Sequence, residues 1–283
     1  MLQIFTAGVL WGTIGVFVKL LASLGAGDSL TSFLRMLSAF VIMFLAALLR
    51  NRKNIIIRDK TALISCMLLG LVSHGIFNIC YTASIRINGM AIACVMMYTA
   101  PVFTAIASGI IFREKFTPLK IFALIVNILG CILTVTGGDF TSGNISLTGI
   151  IAGLGSGFCY GMAAIFGKSA GQHADTVTVS AYSYAFSVLF LGAFTRPDFS
   201  AVNMNVLAVG FAYGLVPTSL AYFVYYNGLK KITDTSRVPV IASIEPVTAV
   251  LIGMLIYNEQ MSFANFIGVA VVLVSIIIMV KSK

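Results

Sequence analysis

Long apolar stretches, each about one bilayer thick and separated by short polar breaks, set the pattern of this chain. A membrane-crossing helix needs about 20 consecutive, mostly apolar residues. Ten such runs are present: 3–22, 30–49, 62–85, 89–112, 118–137, 147–167, 177–195, 203–228, 236–257 and 262–280. The breaks carry turn residues, among them Gly25-Ala26-Gly27-Asp28, Thr117-Pro118, Gly137-Gly138-Asp139 and Arg196-Pro197-Asp198. The pattern predicts an all-α integral membrane protein of ten transmembrane helices, with no soluble domain left over. The first run has no basic stretch before it and is read as a retained span, not a cleaved leader.

The pattern also occurs twice. Residues 81–133 lie over residues 226–278 at a constant offset of 145, so that Tyr81 meets Tyr226, Pro101 meets Pro246 and Glu114 meets Glu259. The starts of the two halves match at an offset of 149, pairing Gly8 with Gly157, Trp11-Gly12 with Tyr160-Gly161, and Phe17 and Lys19 with Phe166 and Lys168. Five spans per half is an odd number, so the second half must enter the membrane the other way up. The expectation is two inverted five-helix repeats, 1–137 and 147–283, joined by a linker at 138–146. Such architectures place a substrate site near the midplane and move it between the two sides by alternating access.

Composition narrows the class. Hydrophobic residues make up 59% of the 283 and charged residues 10%, against about 25% charged in a soluble domain; the mean hydropathy is +1.02. The net charge of +9 sits in short connections, which argues for membrane topology and against a nucleic-acid partner. With the N-terminus cytoplasmic, 14 of the 18 basic residues fall on the cytoplasmic side, Arg52, Lys53, Lys168 and Lys283 among them. Lys19, Arg86 and Arg196 fall opposite, and Arg35 lies within a span. Both termini are therefore expected in the cytoplasm. Five cysteines, all in apolar runs and without CxxC spacing, argue against a disulfide framework or a zinc site. No GxxxxGK[ST] motif is present, and the nine acids are scattered singly. Neither a cofactor nor a metal is expected, and an embedded enzyme is disfavoured.

Leu10-Trp11-Gly12 with Phe17 and Lys19 in the first span, Arg35 in the second, and a proline followed thirteen residues later by glutamate in each half (Pro101 and Glu114, Pro246 and Glu259) resemble the drug/metabolite transporter superfamily, specifically its EamA-type branch. The resemblance covers essentially the whole chain. It implies a carrier of the bacterial inner membrane, often an exporter of amino acids or related metabolites. The expected partners are a small-molecule substrate and the lipid bilayer, with monomer and homodimer both open. A non-coupled facilitator or channel-like permease is the alternative.

Charges inside apolar runs cost about 2.5–3.5 kcal/mol on insertion scales and so mark candidate sites. Arg35, whose counterpart is Tyr184, is either an anchor for a substrate carboxylate or a structural arginine bonding helix-end carbonyls. Glu245 directly precedes Pro246 and matches Ala100. It either carries a proton or a substrate ammonium, or hydrogen-bonds internally at the proline kink. His74, Asn78 and Tyr81 share one helix face, matched by Ser219, Phe223 and Tyr226 with Tyr222 beside them. They line a cavity, or they bond neighbouring helices; His74 joins Glu245 as a candidate for proton coupling. Trp11 and Tyr160 are either facing walls of a site or interfacial belt residues. Tyr98 and Tyr222 complete the substrate-binding candidates. Pro101, Pro246, Gly12 and Gly161 are expected hinges, and the small-residue stripe Gly149, Gly153, Gly157, Gly161 is expected to pack against another helix, more readily within the chain than between copies. Glu114 and Glu259 are expected to cap the spans that follow them, near Thr117-Pro118 and Ser262.

Overall fold

The computed structural model describes residues 1–50, 55–115, 117–139 and 146–282. Arg52, Lys53, Lys283 and residues 140–145 of the expected linker lie outside the described residues. Within those bounds every regular element is helical. Ten helices are long and apolar enough to cross a membrane: α1 (Leu2–Ser23), α2 (Asp28–Arg50), α3 (Lys60–Asn88), α4 (Met90–Ile111), α5 (Pro118–Thr136), α6 (Leu147–His173), α7 (Thr176–Thr195), α8 (Met204–Leu229), α9 (Thr235–Tyr257) and α10 (Phe263–Lys281). The expected spans agree to within a few residues except at α6. That helix runs on to His173, so Lys168, expected in a connection, lies inside it.

Local chemistry explains where the helices start. The side chains of Asp59, Asp175 and Asn203 accept from the backbone N–H groups of Ala62 (2.8 Å), Val177 (3.1 Å) and Val206 (3.0 Å) at the starts of α3, α7 and α8. These are N-caps, satisfying donors that a helix start leaves free. Ser262 and Asn265 form a reciprocal capping box on α10. Gly137, at φ +61°, ends α5 in the left-handed region where a side chain is disfavoured.

Packing uses small residues where helices cross. α5 lies along α10, with Gly130 against Val272, and Gly268 against the Thr134 backbone. The glycine stripe of α6 packs inside the chain, where a Cβ at Gly157 would sit 2.6 Å from Thr99 Oγ1 and one at Gly161 would sit 2.8 Å from the Ala100 carbonyl oxygen. Gly12 repeats the arrangement on α1, where a Cβ would sit 2.9 Å from the Glu245 carbonyl oxygen of α9. Large apolar side chains such as Leu49, Ile110, Leu189, Leu255 and Phe263 point outward, the surface a bilayer would cover.

Four helices depart from ideal geometry, and they do so in matched pairs. α3 widens to a π-helix over Leu69–Ile76 and α8 over Leu215–Leu220. α4 breaks at Tyr98-Thr99, just before the segment Ala100–Ile111, and α9 breaks at Ser243, before Ile244–Tyr257. At the 145-residue offset the π stretches overlap and the breaks coincide. Pro101 and Pro246 each sit in the first turn of the second segment, where a missing N–H costs no helical hydrogen bond. π-Bulges and breaks of this kind recur at functional sites, and all four here surround one place in the bundle.

Candidate functional site

That place is a central cavity of about 40 Å³ bounded by Trp11 of α1, Arg35 of α2, His74 and Asn78 of α3, Tyr160 of α6, Tyr222 of α8 and Glu245 of α9. The volume holds only a few water molecules. A solute of amino-acid size enters only if these walls move apart.

Arg35 is buried, and its Nε donates to Thr218 Oγ1 (2.9 Å). Its guanidinium carbon lies 5.0 Å from the Tyr213 ring centroid, a cation–π contact. Thr218 belongs to the π stretch of α8 and donates in turn to the Tyr213 carbonyl (3.1 Å). Among the described residues Arg35 has no carboxylate partner, and it bonds a hydroxyl, not a helix-end carbonyl. On the far wall Glu245 accepts from Tyr160 O–H (2.8 Å). Its place in the first turn of the second segment of α9 puts a carboxylate where the helix dipole favours one.

Aromatic rings join these two charges. Trp11 is 5.0 Å from both Tyr222 and Tyr225 and 6.1 Å from Tyr160, while His74 is 4.9 Å from Tyr222. Trp11 is 3% exposed, so it belongs to this interior cluster and not to an interfacial belt. Trp11 Nε1 and His74 Nε2 are buried without a hydrogen-bond partner among the described residues. A buried donor or acceptor left unpaired costs about 1–3 kcal/mol.

Two further cavities share lining residues with the central one. Asn78 accepts from Ser32 O–H (3.0 Å) and donates to the His74 carbonyl (2.6 Å). Beyond it a cavity of about 250 Å³ widens between Asp28, Ser32, Thr82 and Arg86, toward the bundle end opposite the chain termini. On the other side Tyr160 and Glu245 also wall a cavity of about 10 Å³ with Tyr98, Pro101 and Pro239. The succession narrows steadily toward the end that carries the termini.

Seven of the nine substrate-binding candidates thus share the central cavity, and Tyr98 lies in the small one next to it. Tyr81 stands apart, its O–H 2.9 Å from Cys94 Sγ and its ring stacked on Phe77 at 5.6 Å. Thr218 and Tyr213, which hold Arg35, were absent from the candidates. The only signal for them is that Thr218 follows Pro217 in an apolar helix.

The expectation for Glu114 and Glu259 is corrected. α5 is capped by Thr117, which accepts from Lys120 N–H, and α10 by Ser262. Glu114 reaches into the other half, where it accepts from the N–H groups of Thr235 (2.8 Å) and Ser236 (3.1 Å) at the start of α9 and from Lys168 Nζ (3.2 Å). Lys168 also donates to the Thr233 carbonyl (3.0 Å) and Thr235 Oγ1 (2.7 Å), over the Phe112 ring. Glu259 pairs with Lys19, whose Nζ lies 4.1 Å from the Tyr257 ring centroid. The local rule favoured the nearest helix start, and tertiary pairing across the halves overrode it.

Comparison with known proteins bears on what this cavity serves. A model of the EamA-like transporter family matches residues 1–136 and again residues 147–281. An uncharacterised transporter of Archaeoglobus fulgidus is 29% identical over 279 residues, covering 97% of this chain and 94% of that protein. The uncharacterised inner membrane transporter YicL of Salmonella typhimurium is 22% identical over 98% of this chain and 94% of its own length. The threonine/homoserine exporter RhtA of the same species is 24% identical over 204 residues, 71% of this chain and 66% of its own. A crystal structure 19% identical in sequence superposes with a TM-score of 0.81 over 98% of this chain and 94% of that one, a likeness of fold.

Proposed function

We propose that this chain, which belongs to the EamA-like transporter family, is a secondary carrier that moves small amino acids or related amphipathic solutes out of the cell by alternating access. The observation that carries the reading is the central cavity, where Arg35 and Glu245 stand on different walls of one aromatic-lined space. A free guanidinium fits a carboxylate bidentately, and a carboxylate fits an ammonium. Together they match the two charged ends of an amino acid, with Trp11, Phe77 and Tyr222 facing its side chain. The threonine/homoserine exporter among the relatives is consistent with that class.

Carrier behaviour is supported by the tapering of the cavities and by closure at the end bearing the termini, where Lys168 and Glu114 are tied across the halves. The excess of basic residues at that same end fits a cytoplasmic side in the cell (plasma or inner) membrane. The double match to the family model and five spans per half fit two repeats of opposite orientation. Glu245 and His74 are the groups proposed to couple flux to protons.

Counterflow in proteoliposomes with a panel of amino acids tests the reading. Trans-stimulated exchange of at least one amino acid is expected, and flux that shows no trans-stimulation would identify a facilitator or channel instead. If Glu245→Gln and His74→Ala both leave flux driven by a pH gradient unchanged, proton coupling through these groups is refuted.

A further inference from the structure

The two lysine–glutamate pairs occupy equivalent positions in the two halves. Lys168, Phe112 and Glu114 on one side correspond to Lys19, Tyr257 and Glu259 on the other, residue for residue, at the two sequence offsets. In both places the lysine bonds the glutamate and lies over the aromatic ring two residues before it. The pairs close opposite ends of the bundle, since Lys168 and Glu114 lie at the end that carries the termini and Lys19 and Glu259 at the other.

What differs is how far each pair has closed. Lys168 and Glu114 are 12% and 9% exposed, and both are anchored to residues 233–236 at the start of α9. Lys19 and Glu259 are 52% and 54% exposed, and among the described residues their side chains make no hydrogen bond beyond the one to each other, with Lys19 over the Tyr257 ring. The residues matching Thr235 and Ser236 are Met90 and Ala91, at the start of α4. That helix has no side-chain cap, and Met90 is 63% exposed. Among the described residues no side chain accepts from the first N–H groups of α4, groups that a helix start leaves without an intrahelical partner, and a carboxylate such as that of Glu259 can accept several hydrogen bonds.

We infer that in the alternate state Glu259 accepts from the N–H groups of Met90 and Ala91, with Lys19 donating to the Asn88 carbonyl, which closes the end opposite the termini as Glu114 and Lys168 now close the other. The inference rests on the alternating-access reading. It also carries a built-in bias. Asp234, which ties Lys120 and Arg237 to the closed side, is matched by Gly89, and the Thr235 hydroxyl by the thioether of Met90. The second closure lacks those bonds, so the empty carrier rests in the state described here.

Spin labels at Met90→Cys and Gln260→Cys, both at the end opposite the termini, read the gap directly by pulsed electron resonance in liposomes. The unsubstituted chain, with its five native cysteines, is labelled identically as the blank. Adding Glu114→Gln is expected to release the closed side and bring in a shorter distance, shifting the balance on the order of a hundredfold. Adding Glu259→Gln to that variant is expected to abolish the shorter distance, while Glu259→Asp retains it. An unchanged distance in Glu114→Gln, or a short distance that survives Glu259→Gln, overturns the inference. The readout needs no substrate. Loss of amino-acid counterflow with the distance shifts intact would remove the proposed cargo and leave the gate standing.

Discussion

Lys168 of α6 and Glu114 beyond α4 meet at 3.2 Å with little exposure to solvent, each also bonded to the start of α9. Removing one partner of a buried, hydrogen-bonded pair leaves the other charge uncompensated and costs about 3–5 kcal/mol. Pairs in solvent are worth about 0.2–1 kcal/mol. Glu114→Ala is therefore expected to lower the melting temperature of the purified protein markedly, and Glu259→Ala hardly at all. Thermal melts followed by size-exclusion chromatography make the comparison, and equal losses would show that the two pairs are equally closed.

Arg35 donates to the hydroxyl of Thr218 and lies against the Tyr213 ring. Arg35→Lys keeps the charge but loses the planar fork, and counterflow of carboxylate-bearing solutes is expected to fall severely with expression near normal. Thr218→Val removes the hydrogen bond that fixes the guanidinium. A hydrogen bond to a charged group is worth about 1.5–3 kcal/mol, so apparent affinity is expected to weaken tenfold or more with maximal rate little changed. If the Arg35→Lys protein fails to accumulate in the membrane, Arg35 is structural.

The spans were legible because a bilayer fixes helix length, and Arg35 and Glu245 because a charge stands out in an apolar run. The duplication showed which features belong to both halves. The partners were not legible. Thr218 meets Arg35 from within the π stretch of α8, and periodicity does not reveal a π-helix in an apolar run. Glu114 lies three residues before Thr117 and so looked like its neighbour's cap, yet its bonds go to residues more than a hundred positions away. Lys19, Lys168, Glu114 and Glu259 were all visible as repeated residues; that each lysine pairs with the glutamate of the other half required the fold.

Asp234 adds a pH-dependent contribution to the stability of the end that carries the termini, through its pairs with Lys120 and Arg237. Burial pulls its carboxyl upward, but hydrogen bonds from Lys120, Ser236 and Arg237 outweigh burial and hold it down to about 2. An aspartate in an unfolded chain titrates near 3.9. The folded value is the lower one, so the stabilisation is complete above about pH 4 and is lost as pH falls toward 2. Melting temperature is accordingly expected to carry the full contribution of this group, and no pH dependence from it, between pH 5 and 8. Asp234→Asn is expected to lower it across that range, and to converge with the parent near pH 2.

Glu245 and Tyr160 offer the sharpest test of how the cavity reads its cargo. Tyr160 is the only donor to the Glu245 carboxylate among the described residues. A substrate ammonium must therefore share that carboxylate with the phenol or displace it. Tyr160→Phe removes the competitor and leaves the acid, whereas Glu245→Gln removes the charge and keeps the shape. If the carboxylate binds an ammonium, Glu245→Gln abolishes exchange of amino acids but spares analogues in which the amine is replaced by hydrogen. Tyr160→Phe would then retain exchange, with tighter apparent binding if freeing the carboxylate outweighs the lost phenol. Competition of amino acids against their des-amino analogues in counterflow separates the outcomes. Equal loss of both solute classes in Glu245→Gln would mean that the acid holds the α9 break together and does not touch the cargo.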